Sequence, residues 1–186
     1  GLKEINKDFN QIDGAVFTHA HSDHLNGLKS LSPKKMYGTK QTLPSSLSNH
    51  INYFEKFNIN DVTITAFPTS HDKEGSAGFV FEYKEEKLVY ITDTGTLDDS
   101  LIKLIKNPNI LMIESNHDIA MLMKTDRSLR CKQRIMSEYG HLSNEDSAFL
   151  ATRIIGEKTK TIVLAHISEE ANCPEVALNA YKEVFA

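Results

Sequence analysis

Residues Thr18-His19-Ala20-His21-Ser22-Asp23-His24 put four side chains able to ligate a metal, His19, His21, Asp23 and His24, into six positions. In an extended loop, alternation points His19 and His21 the same way, while Asp23 and His24, at the start of a following helix, address a second point nearby. That geometry suits two cations better than one. At this density imidazoles and a carboxylate compete for solvation, and bound cations relieve the competition.

The elements that must position these groups read as alternating strands and helices. Gly14 to Thr18 is a short apolar run that reads as a buried strand delivering His19. Ser22 and Asp23 are expected to cap a helix on which Leu25, Leu28 and Leu31 recur. The stretch from Thr39 to Asn58 reads as an irregular helical excursion. Val62 to Phe67 alternates as a strand, and Pro68 ends it just before His71. Gly78–Tyr83 and Lys87–Thr92 flank the charged Lys84-Glu85-Glu86, predicting an antiparallel hairpin with Asp93 at its far end. Asn109–Glu114 is another strand, with His117 just beyond it. Ser143 is expected to start a helix whose apolar face includes Ala148, Leu150, Ala151 and Ile154. Thr161–Ala165 is a last strand ending at His166, and a terminal helix runs from Pro174 to Val184. Residues 1–186 therefore read as a single α/β domain.

Composition narrows the classes. Of 186 residues, 40% are hydrophobic and 25% charged, with 21 basic against 25 acidic side chains, which is ordinary globular usage. A net charge of −4 argues against a whole-surface grip on a polyanion and leaves room for a focused basic patch. Cys131 and Cys173 lack metal-finger or redox spacing and read as reduced thiols of a cytoplasmic protein. No apolar run reaches the roughly 18 residues a membrane span requires.

The run from His19 to His24 matches the HxHxDH signature, and on it the chain resembles the metallo-β-lactamase superfamily. The resemblance implies an αββα four-layer sandwich. It also implies that His19, His21 and His71 hold one metal, that Asp23, His24 and His166 hold the other, and that Asp93 bridges them. Members place strands before the HxHxDH loop, whereas 18 residues precede His19 here, so the sequence is expected to be N-terminally incomplete relative to the fold. Antibiotic-hydrolysing members tend to carry Cys where this chain has Asp93, the flavodiiron branch carries Glu at the position of His21, and the β-CASP nucleases need a large insertion that the 93 residues after Asp93 cannot hold.

Ile113-Glu114-Ser115-Asn116-His117-Asp118, Tyr139-Gly140-His141-Leu142-Ser143-Asn144 and Leu164-Ala165-His166-Ile167-Ser168-Glu169-Glu170 are similar to the WalJ (YycJ) group of bacterial proteins. That similarity implies a phosphodiesterase acting on DNA, of the 5′-to-3′ exonuclease type, with two divalent cations as cofactors. Zn²⁺ or Mn²⁺ suits the mixed donor set, which also admits iron. It makes His117 and His141 further site residues, touching the phosphate or protonating the leaving oxygen, against the plainer reading of each as a locally bonded histidine. Asp23 is read as a ligand that also takes up the nucleophile's proton.

The residues themselves favour a phosphate substrate as well. Lys124, Arg127, Arg130, Lys132 and Arg134 place five basic groups in eleven residues, opposed within the stretch by Asp126 alone. These are candidate backbone-binding groups, although such a run is equally the signature of a solvated helix face. Two other functions stay open on the same ligands: a glyoxalase-II-like thioester hydrolase or lactonase, and a metal-binding regulator without turnover.

Overall fold

The side chains of the central strands are sorted between two faces. On the strand Val62–Pro68, Ile64 and Ala66 enter one apolar cluster and Phe67 another; on Ala77–Tyr83, Phe79 joins the first and Val80 the second. Period-two alternation with both faces apolar requires a sheet covered on both sides, and the computed structural model, which describes residues 2–186 except 27, 45, 47 and 48, with 3 and 33 by backbone alone, has that arrangement.

Its strands are β1 (Ala15–Val16), β2 (Met36–Gly38), β3 (Asn49–His50), β4 (Lys56–Ile59), β5 (Val62–Pro68), β6 (Ala77–Tyr83), β7 (Glu86–Ile91), β8 (Ile110–Glu114) and β9 (Thr161–Ala165). β1, β2 and β3 form a parallel three-stranded sheet; β4 to β9 lie side by side in chain order in a six-stranded one. The helices are α1 (Ser22–Leu25), α2 (Ile102–Ile105), α3 (Ile119–Lys124), α4 (Leu129–Ile135), α5 (Asn144–Ile154) and α6 (Pro174–Val184).

Three apolar clusters separate four layers. Phe17, Met36 and Leu43, with Leu25, Leu28 and Leu31, join the small sheet to its helical cover. Ile51, Ile64, Ala66 and Phe79, with Val16 and Tyr37, fill the space between the sheets. Phe67, Val89, Ile91, Leu111 and Ile113 meet Ala148, Ala151, Ile154 and Tyr181 of α5 and α6 on the far face. This is the αββα sandwich expected from the sequence.

The predicted hairpin is present: β6 and β7 pair antiparallel from Phe79↔Tyr90 to Tyr83↔Glu86, and Lys84 makes the turn with φ 54°. Ser143 caps α5, its hydroxyl accepting from the Asp146 amide, and Pro174 opens α6. Two local expectations are corrected. The described residues of 39–58 hold no helix: they supply β3 and the edge strand β4, which pairs with β5 across the two-residue turn Asn60-Asp61, with Asn60 at φ 51°. Phe57 and Ile59 point inward between exposed Lys56 and Asn58, a four-residue alternation too short to stand out of a serine-rich context. Ser22 does not cap α1 either. His21 occupies the N-cap position without a side-chain cap bond, because its ring is turned toward His19; α1 stops after one turn, and Leu28 lies in a 3₁₀ turn while still packing on Phe17 and Met36.

Phe79 is fully buried between the sheets, so Phe79→Ala is expected to lower the unfolding free energy by about 3–5 kcal/mol, read as a shift of the denaturant midpoint with the slope unchanged.

Candidate metal centre

Strand direction brings the chemistry together. β5 and β7 are both antiparallel to β6, and β7, β8 and β9 are mutually parallel, so the C-terminal ends of β5, β7, β8 and β9 lie along one edge of the large sheet. His71, Asp93, Glu114 and His166 sit at or just past those ends. The Ala77 amide, at the start of β6 on the same edge, donates to the Thr18 carbonyl at 2.8 Å and fastens the HxHxDH loop beside them. Asp93 and His166 both leave their strands with left-handed backbone, φ 56° and 55°. Non-glycine residues adopt that conformation at a cost, and the cost is met where side chains must be turned inward.

Three groups of donor atoms, each mutually within 4.8 Å, converge there: His19, His21 and His71; His19, His24 and Asp93; and Asp93, Glu114, His141 and His166. Their orientation is set from behind. Thr18 Oγ1 lies 3.0 Å from His19 Nδ1 and 3.1 Å from His24 Nδ1, so one hydroxyl oxygen can accept from both rings and leave Nε2 of each bare. His19 Nε2 faces His21 Nδ1 at 2.8 Å, and His24 Nε2 faces Asp23 Oδ2 at 3.7 Å and Asp93 Oδ2 at 3.8 Å. His71 Nδ1 donates to the Gly140 carbonyl at 3.3 Å. Gly140 has no substitute, since a Cβ there would lie 2.1 Å from the Ile135 carbonyl oxygen.

Glu114 is the decisive residue that the sequence reading left without a role. It is wholly buried; Oε1 accepts from His141 Nδ1 at 2.6 Å and from His166 Nδ1 at 2.8 Å, and Oε2 accepts from the Thr94 amide at 3.0 Å. Its oxygens are thereby engaged, which makes it an orienting carboxylate, with His166 Nε2 turned to within 3.3 Å of Asp93 Oδ1. The available signal was a carboxylate ending an otherwise apolar strand. Asp72 was also unforeseen: its Oδ1 lies 3.3 Å from His21 Nε2, and its Oδ2 accepts from Arg134 Nη1 at 2.5 Å.

The donor set fits divalent cations. Asp93 Oδ2 and His71 Nε2 are buried without a hydrogen-bond partner, and an uncompensated buried carboxylate oxygen is costly unless a cation or proton meets it. Burial holds His19 down to about 4 and lowers His71, against the pull of Asp93 in both cases. Burial opposes the charged form of His166, yet its hydrogen bond to Glu114 and the nearby Asp93 leave its pKa raised. Burial favours the acid form of Glu114, but the bonds from His141 and His166 keep its pKa below the usual carboxylate value.

Other expected site residues are distributed unevenly. Asp23 stands at the rim, its side chain 74% exposed, touching His24 and belonging to none of the three groups. His141 lies inside, its ring 5.2 Å from those of His71 and His166. His117 is 1% exposed and is not among the residues that line the cavity beside the cluster. The basic run is not one face. Lys132 is 8% exposed and its Nζ donates to the Met123 and Thr125 carbonyls at 2.8 Å, closing the C-terminus of α3 rather than reaching solvent. Lys124 and Arg130 are exposed, whereas Arg127 and Arg134 turn toward the cleft.

Comparison with known proteins agrees with this geometry. Residues 2–167 match the family model described as "Beta-lactamase superfamily domain". The chain belongs to that superfamily. Within it, the chain is 35% identical over 191 residues to "Exodeoxyribonuclease WalJ" of Streptococcus pneumoniae serotype 2, covering 95% of this chain and 71% of that protein. It is 33% identical over 196 residues to "Exodeoxyribonuclease YycJ" of Bacillus anthracis, covering 98% and 74%. Among solved structures, the metallo-β-lactamase fold protein YhfI from Bacillus subtilis superposes with a TM-score of 0.72 at 18% identity, over 99% of this chain and 76% of that one. Human tRNase Z, short form, gives 0.64 at 20% identity, over 90% and 77%. At those identities the solved structures establish the fold, and that fold implies divalent metal ions.

Two outcomes follow for the metal-binding state. Thr18→Val removes the acceptor behind His19 and His24, and is expected to weaken metal affinity by about 10- to 100-fold, read by competition with a chromophoric chelator. For the metal-free protein the sign is set chiefly by His19, whose pKa is about 4 in the folded chain against 6.5 for an ordinary imidazole. Between those values the unfolded chain binds a proton that the native one refuses, so stability falls as pH drops through that window. His71 acts in the same direction, Glu114 does so below the ordinary carboxylate value, and raised His166 acts oppositely, above the ordinary imidazole value. A denaturation midpoint independent of pH over that window contradicts the buried placement.

Proposed function

We propose that this protein is a dinuclear metal-dependent exodeoxyribonuclease that hydrolyses phosphodiesters from the 5′ end of a DNA strand. The observation that carries the reading is the convergence of His19, His21, His24, His71, Asp93 and His166 on one cleft, two of them with orphaned buried atoms, in a chain 35% identical to a protein named as an exodeoxyribonuclease.

His19, His21 and His71 would hold one cation, and His24 and His166, with Asp23 from the rim, the other, Asp93 lying between them. Zinc or manganese is the native metal in this reading, iron being compatible with the same donors. Divalent cations held there supply Lewis acidity toward a phosphoryl oxygen and a water acidic enough to react near neutrality.

The protein's own groups do the remainder. Asp23, exposed beside His24, is placed to take up the proton released by the attacking water. His141 is fixed by Glu114 through Nδ1, so the doubly protonated ring, with the carboxylate behind it, would carry on Nε2 the proton it hands to the departing oxygen, becoming the neutral Nδ1–H tautomer. Glu114 holds the Nδ1 proton of both His141 and His166 and so fixes the orientation of both rings. His117 supports the cleft from beneath through its backbone, which pairs with Ser143 and accepts from the Asn144 amide at 2.9 Å. We place the protein in the cytoplasm on its two unpaired cysteines, Cys131 and Cys173; among the described residues no helix is long and apolar enough to cross a membrane.

The test is hydrolysis of single- and double-stranded DNA beside a panel of thioesters and lactones, before and after chelation and with Zn²⁺ or Mn²⁺ restored separately. Metal-dependent release of nucleotides from DNA is expected, lost in Asp93→Ala. His141→Ala is expected to lower kcat on DNA by about 10²- to 10⁴-fold, and less on a p-nitrophenyl phosphodiester whose leaving group needs no proton. Turnover confined to thioesters or lactones overturns the reading.

A further inference from the structure

Beside the donor cluster, α3, α4 and the loop after β9 enclose a cavity of about 200 Å³. It shares His141 and His166 with the cluster, and its other polar walls are Asn116, Arg127, Arg134 and Ser168. Its floor is apolar: Leu122, Ile135 and Ala171 are buried and packed together. A space this size falls below the ordinary range for a whole small-molecule ligand and suits one compact polar group.

Two guanidiniums in such a space select an anion, and both are held in place. Arg127 gives Nε to Glu170 at 2.8 Å and Arg134 gives Nη1 to Asp72 at 2.5 Å. Each pair engages one of the five N–H donors of its fork, and Arg127 also meets Cys131; the donors left over stand in a preorganised position. Ser168 Oγ accepts from the Ala171 amide at 3.2 Å, which leaves its own proton to give.

We infer that this cavity binds the 5′-terminal phosphomonoester of a DNA strand, so that the protein engages strand ends rather than strand interiors. The inference rests on the proposed nuclease function and adds the group that is recognised. A terminal monoester presents three oxygens free to accept where an internal diester presents two, and the unused N–H donors of two forks match the larger set. Buried Leu122, Ile135 and Ala171 back the cavity, while His141 and His166 among its walls put the first linkage beside the donor cluster.

The test uses one oligodeoxynucleotide sequence bearing a 5′-phosphate, a 5′-hydroxyl, or a 3′-phosphate with a 5′-hydroxyl. A preference of about tenfold or more in kcat/KM for the 5′-phosphorylated strand, carried by KM, is expected from charge-assisted hydrogen bonds. Arg127→Gln should bring that ratio toward unity and Arg127→Lys should restore part of it. Arg127 is the better probe because Arg134 acts also through Asp72 on His21. In parallel, thymidine 5′-monophosphate, inorganic phosphate and thymidine are titrated into the metal-free protein by NMR. Saturable binding by both phosphates and not by thymidine, weakened in Arg127→Gln, supports the inference. Equal turnover of all three strands, or monophosphate binding unchanged in Arg127→Gln, overturns it. Binding as expected with no DNA hydrolysis under any metal would instead overturn the nuclease reading and leave a phosphomonoester site standing.

Discussion

Asp93 is 2% exposed and stands among the rings of His24, His71 and His166, with one carboxylate oxygen lacking any hydrogen-bond partner. A carboxylate in that position is tolerable only if positive charge meets it, and much of the surrounding structure can be understood as the means of delivering that charge in a defined place. The left-handed backbone at Asp93 and at His166, the paired bonds to Thr18 and the buried Glu114 all turn nitrogen or oxygen atoms toward one volume. Cations held there would turn that crowding into coordination.

The precision of the site comes from the sheet. Four parallel strand ends present their loops on one edge, and the core packed against β5 to β8 prevents those ends from shifting independently. Functional groups on strand ends are therefore held more rigidly than groups on the long connections. The basic segment shows the contrast: Lys132 serves helix α3, and Arg127 and Arg134 are tied to acidic residues 43 and 62 positions away in the chain. Two of the five charges that look unopposed along the sequence, Arg127 and Arg134, are paired in space, and what those two offer a phosphate is directional N–H donors rather than net positive potential.

Much of the fold and the donor set was legible before any coordinates. The HxHxDH loop, the hairpin ending near Asp93, and His71 and His166 just past apolar runs follow from local patterns that a single stretch carries complete. Less legible were features whose cause lies elsewhere in the chain. β4 exists because β5 offers it an edge, and its four residues carry too little alternation to be recognised alone. Glu114 becomes an orienting group only when residues 27 and 52 positions later bring their Nδ1 atoms to it. His117, a site residue by resemblance, is paired with Ser143 and buried, a placement that no local pattern announces.

Residue order alone determined which side chains can bind cations and which strand ends carry them, because ligand chemistry belongs to each residue and period-two patterning survives in a short segment. Only the tertiary structure decided which of those side chains share a cleft, which nitrogen of each ring faces it, and which basic groups remain free to meet a phosphate. Those outcomes depend on distances between residues remote in sequence, fixed by strand pairing and by the burial of charge.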